Sequence, residues 1–146
     1  ILVSTTYFLI MLLFYWVLIL FNLADYPEYP IKLSFAFFSI SFFGLGLGVM
    51  NLFLNSIWSS WKNIWKLIHR PVFYLSGIFY IPSHLPDYVI DFLKWNPVLH
   101  LIEWFRSAYY PNYYSQVLDI SYLLNVSFIL LVFGLFFERV FRNRHS

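Results

Sequence analysis

The sequence predicts an all-α, polytopic integral membrane protein, with spans at about 1–23, 33–55, 58–81 and 118–137 and two short re-entrant helices, about 87–95 and 98–110, before the last. Three observations predict it. Of 146 residues, 61% are hydrophobic, 25% aromatic and 11% charged, whereas ordinary soluble domains are about 25% charged. Nine Lys and Arg with seven Asp and Glu cannot cover a globule of this size, so lipid must solvate most of it. Uncharged runs of membrane length are the second observation, and an uneven distribution of Lys and Arg between alternate loops is the third. The net charge of +2 is too small to imply a nucleic-acid partner, and a chain without cysteine has no disulfide, thiolate metal site or thiol nucleophile. Because Ile1 opens inside an apolar run with neither an initiator Met nor a basic flank, the chain reads as a fragment.

Residues 1–23 carry no charge and would make a helix of roughly 35 Å, longer than a ~30 Å hydrocarbon core. The segment from Asp25 to Pro30, with two prolines and two acids, then forces a tight turn outside the membrane. A second uncharged run, Leu33 to Ser60, brings the chain back. Trp58, Trp61, Trp65 and Ile68 share one helical face, opposite Ser59, Lys62, Asn63, Lys66 and Arg70. Such a helix can lie flat on the membrane; the preferred reading makes it the wet start of a tilted span ending at Ile81, because Pro71 to Ile81 alone reaches only about 16 Å. Arg70 would then lie deep. The stretches 87–95 and 98–110, bounded by Pro86, Pro97 and Pro111, are too short to cross, and the second opposes Val98, Ile102 and Phe105 to His100, Glu103 and Ser107. The last span, 118–137, closes on a basic tail. Starting inside, this order leaves Lys62, Lys66, Arg70, Arg139, Arg142 and Arg144 inside and only Lys32, Lys94 and Arg106 outside, as the positive-inside rule requires. One membrane domain, 1–146, accounts for the chain.

Enzyme constellations are weak. The four histidines are dispersed without metal-ligand spacing, Ser76-Gly77 lacks the glycine that opens a nucleophile elbow, and no Gly-rich phosphate loop is present. Neither a metal nor a cofactor is expected on this chain. Ser41, Gly44, Gly48, Asn51 and Asn55 form a small, polar stripe on the second span, suited to close helix packing or, alternatively, to lining a channel. A deep Arg70 needs protein, water or a polar substrate beside it, unless it snorkels to the inner interface. His100, Glu103 and Arg106 stand in an aromatic setting that includes Trp95, Trp104 and Tyr109. Such rings stack on sugars, and they also form interfacial belts in proteins with no sugar ligand.

Two segments resemble a known family. Arg70-Pro71-Val72-Phe73-Tyr74-Leu75-Ser76-Gly77-Ile78-Phe79-Tyr80 and, after Leu85-Pro86, Trp95-Asn96-Pro97-Val98-Leu99-His100-Leu101-Ile102-Glu103-Trp104-Phe105-Arg106-Ser107 are similar to the permease subunits of type-2 ABC exporters for capsular polysaccharide. The resemblance implies a homodimeric inner-membrane permease that moves lipid-linked polysaccharide, with ATP and Mg held by a separate cytoplasmic ATPase and the C-terminus cytoplasmic. It also implies that the two short helices form an outer gate and that the family's N-terminal spans and main coupling helix are missing. Arg70, Tyr74, Tyr80, Trp95, His100, Glu103, Trp104 and Arg106 are then expected along the substrate path, and Ser41, Gly44, Gly48 and Asn51 in helix packing. The alternatives are a membrane enzyme of lipid-linked glycan metabolism, needing an acid such as Glu103 or Asp91 near His100, and a non-transporting scaffold.

Overall fold

The computed structural model describes residues 10, 13–22 and 25–142, and among these every regular element is helical. Residues 13–20 form α1, part of the first expected span; residues 1–9, 11, 12 and 23 of that span, and the tail from residue 143, lie outside the described residues. Then follow α2 (Pro30–Ile57), α3 (Trp61–Tyr74), a 3-10 turn (Pro82–His84), α4 (Asp87–Leu93), α5 (Pro97–Tyr109) and α6 (Ile120–Arg142).

Among the described residues, two helical segments, Pro30–Ile57 and Ile120–Val140, are long and apolar enough to cross a bilayer, and only 22% and 17% of their most apolar windows are buried. Helices that are apolar all round yet mostly uncovered are not core helices of a water-soluble domain. Proline at the first position of α2 fits the helix start, where its missing N–H costs nothing. At α6 the Asp119 carboxylate accepts the Tyr122 backbone N–H at 2.9 Å, an N-cap.

The two long helices run side by side in the same direction. A Cβ placed on Gly46 would stand 3.0 Å from the Ser127 carbonyl oxygen and 3.1 Å from Leu130 Cβ, and one on Gly134 would stand 3.0 Å from the Met50 nitrogen. Further along, the rings of Phe53 and Phe137 stack at 5.0 Å. Contacts therefore advance together along both chains, as parallel helices require. The two glycines of the expected stripe make no part of this contact: Gly44 and Gly48 have nothing within 4 Å of a built Cβ, and Ser41 beside them is exposed. Helix rotation is about 100° per residue, so Gly46, two residues from either glycine, sits on the far side of α2. Asn51 accepts a 2.7 Å hydrogen bond from the Trp61 indole, tying α3 to α2.

The continuous helix expected from Trp61 to Ile81 is not formed. α3 stops at Tyr74 and buries no residue, and residues 75–81 are irregular. At 14 residues α3 is about 21 Å long, short of a membrane crossing. The two short helices fall close to their expected places, and α5 packs Leu101 and Trp104 against Ala36 and Phe43 of α2 and Leu123 of α6.

Candidate functional site

The break after α3 is held by side chains from α5. Because the helix closes tightly, with the Leu75 and Ser76 N–H groups bonded to the Pro71 and Phe73 carbonyls, the Val72 carbonyl is open to the Asn96 amide, which donates to it at 3.1 Å. The other atom of that amide accepts the Val98 N–H at 3.0 Å. One asparagine thus ends α3 and caps α5, which explains Asn96-Pro97 as a helix start. Gly77 takes φ +83, and a Cβ there would lie 2.6 Å from Leu99 Cδ1, so both backbone conformation and space demand glycine.

Arg106 completes the join. Its guanidinium donates to the Tyr80 carbonyl at 3.0 Å, to the Gly77 carbonyl, and to Glu103 Oε1 at 2.8 Å. Glu103, 1% exposed, also accepts from the Tyr113 hydroxyl at 2.8 Å and from Ser115 Oγ at 2.6 Å. The carboxylate is therefore fully engaged, as a buried charge must be. Burial, and then the hydrogen bond to this carboxylate, push the Tyr113 phenol up to about 12. Ser115 Oγ in turn accepts the backbone N–H groups of Val117 and Leu118 at 3.3 and 3.2 Å, turning the chain toward α6.

His100, 2% exposed, makes a second join. Its Nδ1 accepts the Asp119 N–H at 3.0 Å, which leaves Nε2 as the donor to the Lys94 carbonyl at 2.7 Å. Both ring nitrogens are occupied, so this imidazole is not poised for proton transfer with Glu103 or Asp91. No group of three or more His, Cys, Asp or Glu suited to a metal occurs among the described residues.

The expected site residues thus divide. His100, Glu103 and Arg106 are interior hydrogen-bonding groups, and Trp104, 8% exposed, packs in the core rather than presenting its ring to a ligand. Tyr80 is half-buried, its hydroxyl bonded to the Leu75 carbonyl at 3.0 Å. Arg70, Tyr74 and Trp95 are exposed, and Arg70 forms no ion pair among the described residues. The roles of Asn96, Gly77, Tyr113 and Ser115 in these joins were not read from the sequence. The signals were present: an Asn-Pro helix start, a glycine past a helix end, and a carboxylate in an apolar helix that needed donors.

The class of protein is thereby defined: a helical membrane protein whose two motif segments, 70–80 and 95–107, are bound into one unit against two parallel, membrane-length helices. Its homologues are capsule polysaccharide export inner-membrane proteins, permeases of the ABC type-2 class. The polysialic acid transport protein KpsM of Escherichia coli is 24% identical over 90 residues, 62% of this chain and 35% of that protein. The capsule polysaccharide export inner-membrane protein BexB of Haemophilus influenzae is 25% identical over 124 residues, 85% of this chain and 47% of that protein. For CtrC of Neisseria meningitidis serogroup B, another capsule polysaccharide export inner-membrane protein, the figures are 26% over 119 residues, 82% of this chain and 45% of that protein. The chain thus spans between about a third and a half of the length of these curated relatives. No family model matches it.

Proposed function

We propose that the chain is the C-terminal part of the permease subunit of an ATP-driven exporter that moves polysaccharide, carried on a lipid, across the bacterial inner membrane. The observation that carries this reading is the joining of the two motif segments through Asn96 and Arg106 into one element, with α5 packed on α2 and α6. A gate needs such an element: a unit that can be held shut or moved as a body without losing its own hydrogen bonds. The names of the relatives support the same activity. In this reading four spans leave the C-terminus cytoplasmic, a second copy completes the path, and a separate ATPase binds ATP and Mg on the cytoplasmic face. Arg70, Tyr74, Tyr80 and Trp95 are the path residues with atoms available to a substrate. His100, Glu103, Trp104 and Arg106 act there by shaping the gate.

The engagement of His100 and Glu103 favours export over the enzyme alternative, since neither is free to act as acid or base. The test is deletion and restoration of the full-length gene, reading surface polysaccharide and proteins co-purified with the permease. Loss and recovery of surface polysaccharide together with a co-purifying ATPase are expected. Unchanged surface polysaccharide on deletion would overturn the export reading, and turnover of a polyprenyl-linked glycan by the purified protein alone would replace it with the enzyme.

A further inference from the structure

Beside the gate lies a groove of about 460 Å³ between α4 and the start of α6, lined among others by Asp91, Lys94, Trp95, Gln116, Asp119 and Tyr122. We propose that this groove binds one neutral, hydroxyl-rich sugar unit of the exported glycan at the outer mouth of the path; the proposal rests on the export reading and gives its path residue Trp95 a defined site and ligand class. The groove's volume falls within the roughly 300–1,000 Å³ of ligand sites. Its walls are fixed before any ligand arrives. His100 bonds the Lys94 carbonyl and the Asp119 N–H, and the Tyr122 hydroxyl donates to the Trp95 carbonyl at 2.8 Å. What the buried histidine positions is therefore the groove itself.

The lining selects the ligand class. The Trp95 side chain, 70% exposed, offers an indole to the apolar face of a pyranose ring. The Gln116 amide and the Asp119 carboxylate bring acceptors and donors suited to vicinal hydroxyls. Lys94 is already paired with Asp91 at 2.7 Å, and Asp119 forms no ion pair among the described residues, so the groove is net negative and repels an acidic sugar.

The full-length protein in phosphatidylcholine nanodiscs is tested by saturation-transfer NMR against methyl glucoside, methyl N-acetylglucosaminide and the acidic methyl glucuronide. Saturation of the two neutral glycosides is expected, weakened about tenfold in Trp95→Ala. Asp119→Asn keeps an oxygen for the α6 cap and is expected to weaken neutral sugars about threefold while narrowing the gap to the glucuronide. Because Trp95 is exposed, its replacement should leave thermal stability unchanged. No saturation of either neutral sugar, saturation undiminished in Trp95→Ala, or a preference for the glucuronide would overturn the proposal. Quenching of Trp95 by brominated acyl chains would overturn it too, by showing lipid as the occupant. Surface polysaccharide measured in the same variants keeps the two readings apart: normal export without sugar binding removes the groove alone, and sugar binding without any export removes the export reading alone.

Discussion

Arg106→Met is the sharpest probe of the join between the motif segments. The substitution keeps the volume and removes the guanidinium, leaving the Gly77 and Tyr80 carbonyls without this donor and Glu103 without a countercharge. The Arg106 side chain is only 17% exposed and the Glu103 side chain 2%, so the lost pair is poorly screened by solvent. Removing one partner of a buried ion pair costs about 3–5 kcal/mol, and the orphaned carbonyls act in the same direction. For a chain of this size that corresponds to a fall of roughly 10 °C in thermal midpoint. The double variant Arg106→Met/Glu103→Gln removes the stranded charge and should recover part of the loss, so that its loss is smaller than the sum of the two single losses in a double-mutant cycle. Thermal unfolding of the full-length protein in nanodiscs, followed by tryptophan fluorescence, is the assay. A midpoint for Arg106→Met within about 2 °C of the parent, or losses that simply add in the double variant, would refute the network as a structural unit.

Gly46→Leu should force α2 from α6 and lower membrane yield and thermal midpoint, whereas Gly48→Leu should leave this pair intact, since nothing lies within 4 Å of a Cβ there; equal losses would show that the stripe bears the close contact. Tyr113→Phe should abolish the last step of an ultraviolet phenolate titration: with its pKa raised to about 12, Tyr113 stays protonated in the folded state while an unfolded tyrosine ionises near 10. The folded state then holds the extra proton, so this group's stabilisation is complete below about pH 10 and lost as pH rises toward 12. A titration indistinguishable from that of Tyr113→Phe would count against the bond to Glu103. Single cysteines at Tyr26 and Asn112 should react with an impermeant thiol reagent in intact cells and one at Asn63 should not; labelling of Asn63 alone would invert the proposed topology.

Much of the fold was legible because membrane spans are written in long stretches without charge. The runs 33–55 and 118–137 lie within or close to α2 and α6, and the prolines at 86, 97 and 111 bracket α4 and α5. What was not legible depends on contacts distant in sequence. The end of α3 at Tyr74 depends on Asn96 and Arg106, more than 20 residues later, and on a positive φ at Gly77 that local pattern cannot distinguish from a packing glycine. The stripe Gly44/Gly48 and the contact residue Gly46 are equally small, and spacing alone says nothing about which face meets a neighbour. In the candidate site, sequence identified His100, Glu103 and Arg106 as chemically unusual in an apolar setting. It could not tell that their polar atoms turn toward backbone and toward one another.

The parallel sense of α2 and α6 constrains the path of everything between them. Two helices that cross a bilayer in the same direction require one return crossing, and only residues 58–119 are available to make it. In the proposed four-span topology α3 supplies about 21 Å of that return. Residues 75–81 continue from it as turns and bends, folded closely enough for one guanidinium to reach the carbonyls of both Gly77 and Tyr80. Irregular backbone at membrane depth is tolerated only where protein satisfies its polar groups. Here Ser76 is fully buried, and Arg106 takes the carbonyls of Gly77 and Tyr80. The arginine that looked from sequence like a substrate contact thus serves the backbone of the connection that follows α3. The same bonds tie the end of α3 to α5, so under the proposed gate reading a shift of α3 and a shift of α5 become one movement.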